Sequence, residues 1–290
     1  MNVIETRGLT KYYGRQRGIE NVSFEVEEGE IYGFVGPNGA GKSTTIRTLL
    51  NLIHKTGGEA RIFGLDCERD SRKILRQVGY LPSEVFYYDR MRAIDLLRYA
   101  ASFYGVDSTG RLHALAERLQ LDLNRRVEDM SLGNRKKVGI IQGLLHSPRL
   151  IILDEPTSGL DPLMQRTFFD LLREENERGA TVLFSSHILG EVQRLCRRVA
   201  IVRDGTIASV EDMAQLRGSA CKRVTLTLRE GGFNPGRLEG VASLEERGRE
   251  VTFLYRGDCQ RLLAQLSGYP LENVDITEPS LEEMFMHYYA

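Results

Sequence analysis

The stretch that decides the fold is Gly36-Pro37-Asn38-Gly39-Ala40-Gly41-Lys42-Ser43, which matches the phosphate-loop pattern of Gly, four residues, then Gly-Lys-Ser. An apolar run, Ile31–Val35, precedes it, and Thr44–Leu52 follows with apolar residues at helical spacing. Strand, glycine loop and helix in this order are typical of a mononucleotide-binding α/β unit. Backbone N–H groups of such a loop surround a phosphate, and the helix N-terminus adds positive charge. We therefore expect Lys42 to bridge the β- and γ-phosphates and the Ser43 hydroxyl to ligate Mg²⁺.

A second segment carries two acidic residues at the end of an apolar run. Leu150–Leu153 has the continuous apolar character of a buried parallel strand, and Asp154 and Glu155 follow it directly. A strand that ends beside a phosphate loop would bring Asp154 to the Mg²⁺ shell, commonly through water. Glu155 would then act as general base on the attacking water. Taken alone, the segment could equally be a polar turn, and the phosphate loop is what favours the metal site.

The α/β pattern continues beyond these two segments. Thr181–Phe184 and Val199–Val202 are apolar runs typical of buried parallel strands, whereas residues 89–126 show the three- and four-residue spacing of helices. We predict one α/β domain over residues 1–215, with a helical subdomain at about 86–139.

The C-terminal region has a different pattern, which begins after a composition shift near residues 216–220. Two alternating strands, one short helix and a helix-capping box follow; they are Val224–Leu228, Val251–Tyr255, Cys259–Leu266, and Ser280 with Glu283. We predict a small α+β domain over residues 216–290.

The composition is that of an ordinary globular protein. Among 290 residues, 39 Lys and Arg balance 40 Asp and Glu, so the chain lacks the excess positive charge on which nucleic-acid binding depends. It has no apolar run long enough to span a bilayer and no signal-peptide pattern. Its four cysteines are scattered without the spacing of a zinc site or a disulfide framework. The sequence alone thus predicts a soluble, cytosolic chain.

Further motifs accompany the phosphate loop along the chain. They are Tyr13 within Leu9–Gly14, Ser131–Lys137, Asp154–Pro162 and Ser185–His187. Together with the phosphate loop they resemble, in type and order, the motifs of an ABC-type ATPase cassette over about residues 1–215. The resemblance implies an α/β fold with a P-loop NTPase (RecA-like) core.

The same resemblance implies ATP and Mg²⁺ as cofactors, with ATP held between two cassettes. Tyr13 would stack on the adenine ring, and His187 would position the γ-phosphate and the attacking water. Ser131 and the Gly133 N–H would hold the γ-phosphate bound to the other cassette, and Asp161 would link the two protomers. The other nucleotide-binding positions are those of the phosphate loop, Gly36, Pro37, Asn38, Gly39, Ala40, Gly41, Lys42, Ser43 and Thr44.

Two positions depart from the usual family pattern. Leu132 replaces a glycine of the signature motif, so close backbone approach there is not assured. Ser83, followed by Glu84, stands where most members have a glutamine that ligates Mg²⁺, and either side chain could take that place. Both departures, and the C-terminal residues 281–289, resemble the bacterial ABC drug and antibiotic exporter subgroup. Met284, Phe285 and Tyr288 could equally be the packed face of a last helix.

On this basis we expect an ATP-hydrolysing subunit that powers a membrane exporter through ATP-driven cassette dimerisation. Its partners would be a separate membrane-spanning permease subunit and a second cassette, at the cytoplasmic face of the membrane. A homodimer is the favoured assembly, and pairing with a different cassette stays open. The helical region, with the loop Ser83–Tyr88, would receive the permease. Val85–Tyr88 within that loop could equally be part of the core.

Two other functions stay open. A soluble ABC ATPase that acts on a ribosome or on DNA is disfavoured, because the chain has a single phosphate loop and nearly balanced charge. The interval between Lys42 and Ser131 is also too short for a long coiled-coil insertion. A low-turnover nucleotide-binding regulator is the other alternative. All the residues expected to take part in hydrolysis are present, which disfavours this function. The departures from the family pattern at Leu132 and Ser83 keep it open.

Overall fold

The structure, a computed structural model, describes residues 1–85, 88, 90–218, 221–229, 233 and 238–279. The chain divides into two compact units, Met1–Glu211 and Asp212–Ala290. The domain boundary predicted between residues 215 and 216 lies a few residues beyond this division, and the two domain ranges stay a prediction.

The first unit is built around a six-stranded sheet in the order β10-β9-β3-β8-β7-β6. Its strands are β3 (Ile31–Val35), β6 (Val78–Leu81), β7 (Leu150–Asp154), β8 (Thr181–Ser186), β9 (Arg198–Arg203) and β10 (Thr206–Asp212). The pairs β9-β3, β3-β8, β8-β7 and β7-β6 are parallel. Every residue of β3, β7 and β8 is buried, as expected for parallel strands covered on both faces. The four apolar runs predicted as strands are therefore confirmed.

A second sheet, antiparallel, covers the first in the same unit. It has the order β2-β1-β4-β5 and consists of β1 (Asn2–Tyr13), β2 (Gln16–Glu27), β4 (Gly57–Ile62) and β5 (Leu65–Asp66). Ile4, Leu9 and Phe24 from this sheet share one buried core with Tyr32 and Phe34 of β3. The two sheets therefore form one continuous core behind the phosphate loop.

Seven α-helices in the described part of the first unit surround these sheets. They are α1 (Lys42–Leu49), α2 (Ser71–Leu75), α3 (Ala93–Ser102), α4 (Thr109–Arg118), α5 (Leu132–Leu144), α6 (Pro162–Glu177) and α7 (Leu189–Leu195), with a short 3₁₀ turn at Val127–Asp129. Helix α1 begins two residues earlier than Thr44 and ends before Leu52, because Asn51 adopts a left-handed φ of 54°. Helices α3 and α4 lie inside the predicted helical region. In the described part of the chain, no helix combines the length and apolar character needed to cross a membrane.

The second unit contains a four-stranded antiparallel sheet and a helix that packs on it. The order β12-β13-β11-β14 is formed by β11 (Cys221–Leu228), β12 (Val241–Arg247), β13 (Glu250–Arg256) and β14 (Leu271–Thr277), with α8 (Met213–Gly218) and α9 (Cys259–Leu266). Leu262 of α9 is buried with Val224, Leu226 and Phe253 of the sheet. The predicted strands and helix are confirmed. The predicted last helix from Ser280 and residues 281–289 lie outside the described residues.

Candidate functional site

The candidate site lies where four neighbouring parallel strands end. The phosphate loop follows β3, His187 follows β8, Asp154 ends β7 and Ser83 lies just after β6. Since parallel strands present their carboxyl ends at one edge of the sheet, these segments of distant sequence meet there. Ligands bind at this edge in open α/β sheets.

The phosphate loop is pressed against the neighbouring backbone. A Cβ atom added to Gly36 would lie 2.2 Å from the Val202 carbonyl oxygen, so only glycine fits there. Gly41 has a φ of 107° and is the N-cap of α1, without a side-chain hydrogen bond to the first turn. The unpaired N–H groups at this helix end are suited to an anion.

Lys42 is held under the loop. Its side chain is 5% exposed, and Nζ donates hydrogen bonds to the carbonyl oxygens of Gly36 and Pro37 at 2.7 and 3.1 Å. Nζ also lies 3.3 Å from Oε1 of Glu155. The ammonium group is thus fixed between the loop and the acidic end of β7.

Asp154 has the features of a cation ligand. It is fully buried, and its Oδ1 accepts a hydrogen bond from the Ser185 hydroxyl at 3.3 Å. Its Oδ2 has no hydrogen-bond partner among the described residues. Burial raises the pKa of this carboxyl, and the Ser43 hydroxyl opposes the rise by a hydrogen bond. An unpartnered buried carboxylate oxygen is costly, and a bound divalent cation would compensate it, so Asp154 and Ser43 fit Mg²⁺.

Glu155 contacts both Lys42 and His187. Its backbone adopts a left-handed φ of 49°, a strained conformation for a residue other than glycine. One carboxylate oxygen, Oε2, lies 2.7 Å from Nδ1 of His187, and the other faces Lys42. The carboxylate is therefore oriented from both sides at the mouth of the phosphate loop.

An open cavity of about 410 Å³ lies over these groups. The predicted residues that line it are Tyr13, Asn38, Gly39, Gly41, Lys42, Ser43, Thr44 and Glu155. Tyr13 is half exposed at the mouth, with Nζ of Lys11 5.2 Å from its ring centroid. A flat aromatic ring beside a phosphate loop suits a purine base.

The signature segment contacts the loop after β7 and does not line this cavity. Ser131 is the N-cap of α5, and its hydroxyl accepts a hydrogen bond from the Asn134 N–H at 3.3 Å. A Cβ atom on Gly133 would lie 2.8 Å from the Gly159 carbonyl oxygen, whereas Leu132 is 64% exposed. Asp161 is the N-cap of α6. Ser131, Gly133 and Asp161 do not line the cavity that Lys42 lines, and their predicted action on a second cassette stays a prediction.

Comparison with known proteins gives the family. The family described as ABC transporter matches residues 19–158. The bacitracin transport ATP-binding protein BcrA of Bacillus licheniformis is 39% identical over 211 residues, which cover 71% of this chain and 68% of that protein. The chain belongs to the ABC transporter ATP-binding protein family. It is an ABC-type, ATP-binding ATPase, and the predicted family and activity are confirmed.

Other relatives of this ABC ATPase extend the similarity. The linearmycin resistance ATP-binding protein LnrL of Bacillus subtilis is 27% identical over 303 residues, which cover 98% of this chain and 97% of that protein. A solved ATP-binding subunit of an ABC transporter is similar at a TM-score of 0.70, with 32% identity over 74% of this chain and 92% of that chain. The dimeric bacterial cassette MJ0796 has a TM-score of 0.68 with 25% identity, covering 72% and 98% of the two chains. The predicted P-loop NTPase fold is thus confirmed.

Several residues at the site of this ABC ATPase were not found from the sequence. Gln16, Arg17 and Gly18, the first residues of β2, also line the cavity, in a segment where the sequence carries no recognisable motif. Lys136 is 1% exposed, and its ammonium group contacts the loop that carries Ser83. Sequence pattern does not separate Lys136 from the partly exposed Lys137 beside it.

Proposed function

We propose that this ABC ATPase hydrolyses Mg²⁺–ATP to power an exporter whose membrane-spanning part is a separate chain. The observation that carries the hydrolytic part is the contact of one carboxylate, that of Glu155, with both Lys42 and His187 beside Asp154. A base, a cation for phosphate and a metal-ligand carboxylate within one cluster are what phosphoryl transfer to water needs.

The proposed roles follow from these contacts. Lys42 binds the β- and γ-phosphates, and the N–H groups at the start of α1 bind them from the backbone. Ser43 and Asp154 would hold Mg²⁺, which would supply charge neutralisation on the phosphates. Glu155 accepts the proton of the attacking water, and His187 keeps the Glu155 carboxylate oriented through its 2.7 Å contact.

A second cassette completes the site in this proposal. Ser131 and Gly133 lie at the start of α5, where backbone N–H groups can receive the γ-phosphate bound to the partner. The exposed apolar side chains Leu132 and Leu163, 64% and 69% accessible, support a buried role for this face in the dimer. The similar cassette MJ0796 is described as dimeric, which supports the same assembly here.

An aromatic groove supports the permease as partner. A cavity of about 670 Å³ is lined by Leu75 of α2, by Tyr99 of α3 and Phe103 directly after it, and by Tyr88 and Gln142. Tyr88, Tyr99 and Phe103 are 63%, 47% and 63% exposed although their rings contact each other edge to face. A groove of this kind suits the apolar face of a short helix. Phe86 and Tyr87 of the predicted docking loop lie outside the described residues.

The names of two relatives support export as the direction of transport in this proposal. BcrA is named for bacitracin transport and LnrL for linearmycin resistance, and both names support an exporter of antibiotic-like cargo. The groove would receive a cytoplasmic helix of the permease, so the chain would lie at the cytoplasmic face of the membrane.

The hydrolytic proposal is tested with Glu155→Gln in the full chain. We expect fluorescent ATP analogue binding to persist, turnover to fall by about 10²- to 10⁴-fold, and ATP to trap a dimer in size-exclusion chromatography. Glu177→Gln, an exposed residue at the end of α6, is the matched control and should keep wild-type turnover. Hydrolysis by Glu155→Gln at the wild-type rate would show that Glu155 is not the base.

The exporter proposal is tested at the groove. We expect the chain to co-purify with a membrane protein from a neighbouring reading frame, and Phe103→Glu to abolish the complex while basal ATPase activity persists. Val106→Glu, an exposed apolar residue outside the groove, should leave the complex intact. A Phe103→Glu chain that binds the permease normally would exclude the groove as the docking site.

A further inference from the structure

The loop after β6 enters the ATP site beside the metal-ligand carboxylate. Leu81, the last residue of β6, pairs with Leu153 of the parallel strand β7, so Pro82 leaves the sheet at the level of Asp154. Ser83 lines the cavity together with Lys42, Ser43 and Glu155, whereas Glu84 does not line it. Of the two candidates for the usual glutamine, Ser83 is therefore the one that lines the cavity over the phosphate loop.

A buried lysine holds this loop. Lys136 lies in the second turn of α5, and Nζ donates hydrogen bonds to the carbonyl oxygens of Pro82 and Ser83 at 3.1 and 3.0 Å. Burial lowers the pKa of Lys136 to about 8, and the charges of Asp154 and Glu155 oppose that shift. Burying a charge costs free energy, and the two hydrogen bonds to the loop compensate this cost at Lys136.

The position of Lys136 connects two functional segments. Its helix is capped by Ser131 of the signature motif, and its ammonium group donates a hydrogen bond to the backbone of Ser83, which lines the ATP cavity. With two acceptors on consecutive carbonyls, the ammonium group fixes the path of the loop and the direction in which the Ser83 side chain leaves it.

We propose that the Ser83 hydroxyl takes the place of the usual glutamine towards the nucleotide-bound divalent cation, and that Lys136 is its positioning residue. Hydroxyl oxygen is a hard ligand suited to Mg²⁺ or Mn²⁺, directly or through a bound water. The inference rests on the proposed function, because it concerns the same ATP site.

The experiment measures Mn²⁺ affinity by electron paramagnetic resonance in the presence of ATP. All variants carry Glu155→Gln, so ATP is not consumed. We expect Ser83→Ala and Lys136→Met each to weaken Mn²⁺ binding by about 10-fold, as loss of supporting contacts around metal sites commonly does. The double variant should be no weaker than either single variant, because Lys136 acts through Ser83. Metal-free binding of a fluorescent ATP analogue should not change.

Matched controls separate positioning from a structural effect. Ser83→Thr keeps the hydroxyl and should keep the wild-type Mn²⁺ affinity, and Lys137→Met on the same helix should do likewise. If Lys136→Met lowers the melting temperature so far that the chain does not fold, Lys136→Ala, which also removes the donor to both carbonyl oxygens, replaces it in the same cycle.

Two results would overturn the inference. Unchanged Mn²⁺ affinity in Ser83→Ala excludes Ser83, and additive losses in the double variant exclude action of Lys136 through Ser83. Failure of the proposed function would give a different result: the chain with wild-type Glu155 would bind ATP without hydrolysing it. The Mn²⁺ measurement does not depend on that turnover.

Discussion

Gly36→Ala tests whether the phosphate loop is fixed by close packing on the neighbouring strand. The added methyl carbon would lie 2.2 Å from the Val202 carbonyl oxygen of β9 and 3.2 Å from Cβ of Ala40. Carbon–oxygen contacts in proteins begin at about 3.3 Å, so the loop or the strand must move by about 1 Å. The backbone of β9 cannot move freely, because it pairs with β3 in the buried sheet.

The size of the effect follows from the atoms that collide. Overpacking costs about 1–3 kcal/mol, and a collision between two backbone segments belongs at the upper end. For a unit of this size, each 1 kcal/mol lowers the melting temperature by about 2–4 °C, so Gly36→Ala should melt about 6–12 °C below the wild type. Because Lys42 donates a hydrogen bond to the Gly36 carbonyl, the displacement also moves the phosphate-binding ammonium group.

The assay is thermal unfolding with and without Mg²⁺–ATP. At 100 times its dissociation constant, ATP adds about 2.7 kcal/mol to the wild-type stability, which corresponds to a rise of about 5–11 °C. We expect Gly36→Ala to lose most of that rise. Gly190→Ala is the control, because Gly190 in α7 has open space around it and an alanine there should be neutral or slightly stabilising. A Gly36→Ala chain with wild-type melting and a full ATP-induced rise would refute the packing argument.

Two further predictions concern stability. His146, stacked on Tyr104 at a centroid distance of 3.6 Å, has its pKa lowered to about 4 by burial, against about 6.5 in an unfolded chain. The neutral, buried His146 therefore stabilises the fold above pH 6.5, and this contribution to the free energy of unfolding is lost as the pH falls towards 4. At pH 5 the free energy of unfolding is lower by about 2 kcal/mol at most. Allowance for the partial exposure of the ring reduces this to about 1 kcal/mol. In urea unfolding, His146→Gln should lose less stability between pH 7 and pH 5 than the wild type does. The control, His113→Gln at an exposed histidine, should lose as much as the wild type, and equal losses in all three chains would contradict this linkage. Asp161→Ala removes the N-cap hydrogen bond of 2.9 Å from the Met164 N–H and should lower the melting temperature by about 2–4 °C, whereas Asp161→Asn, which keeps a cap oxygen, should not.

Local sequence pattern predicted the buried strands and the motif-bearing loops well. A parallel strand covered on both faces must be apolar throughout, so Ile31–Val35 and Leu150–Asp154 are visible as continuous runs. Helix ends were harder to predict: α1 begins at Lys42, because its first turn is polar and lacks the apolar spacing by which a helix is recognised. Lys136 was missed for a related reason, since a buried charge contradicts the pattern by which core positions are recognised.

The contacts at the centre of the site depend on strand order, which no local pattern contains. Lys42, Glu155 and His187 follow β3, β7 and β8, which are far apart in the chain and adjacent in the sheet. Because β8 lies between β3 and β7, His187 leaves the sheet between the phosphate loop and the acidic pair. The left-handed backbone of Glu155 bends its side chain towards both neighbours. The strain at that residue is thus tied to its two contacts: relaxing the φ of 49° would redirect a carboxylate that contacts both Lys42 and His187.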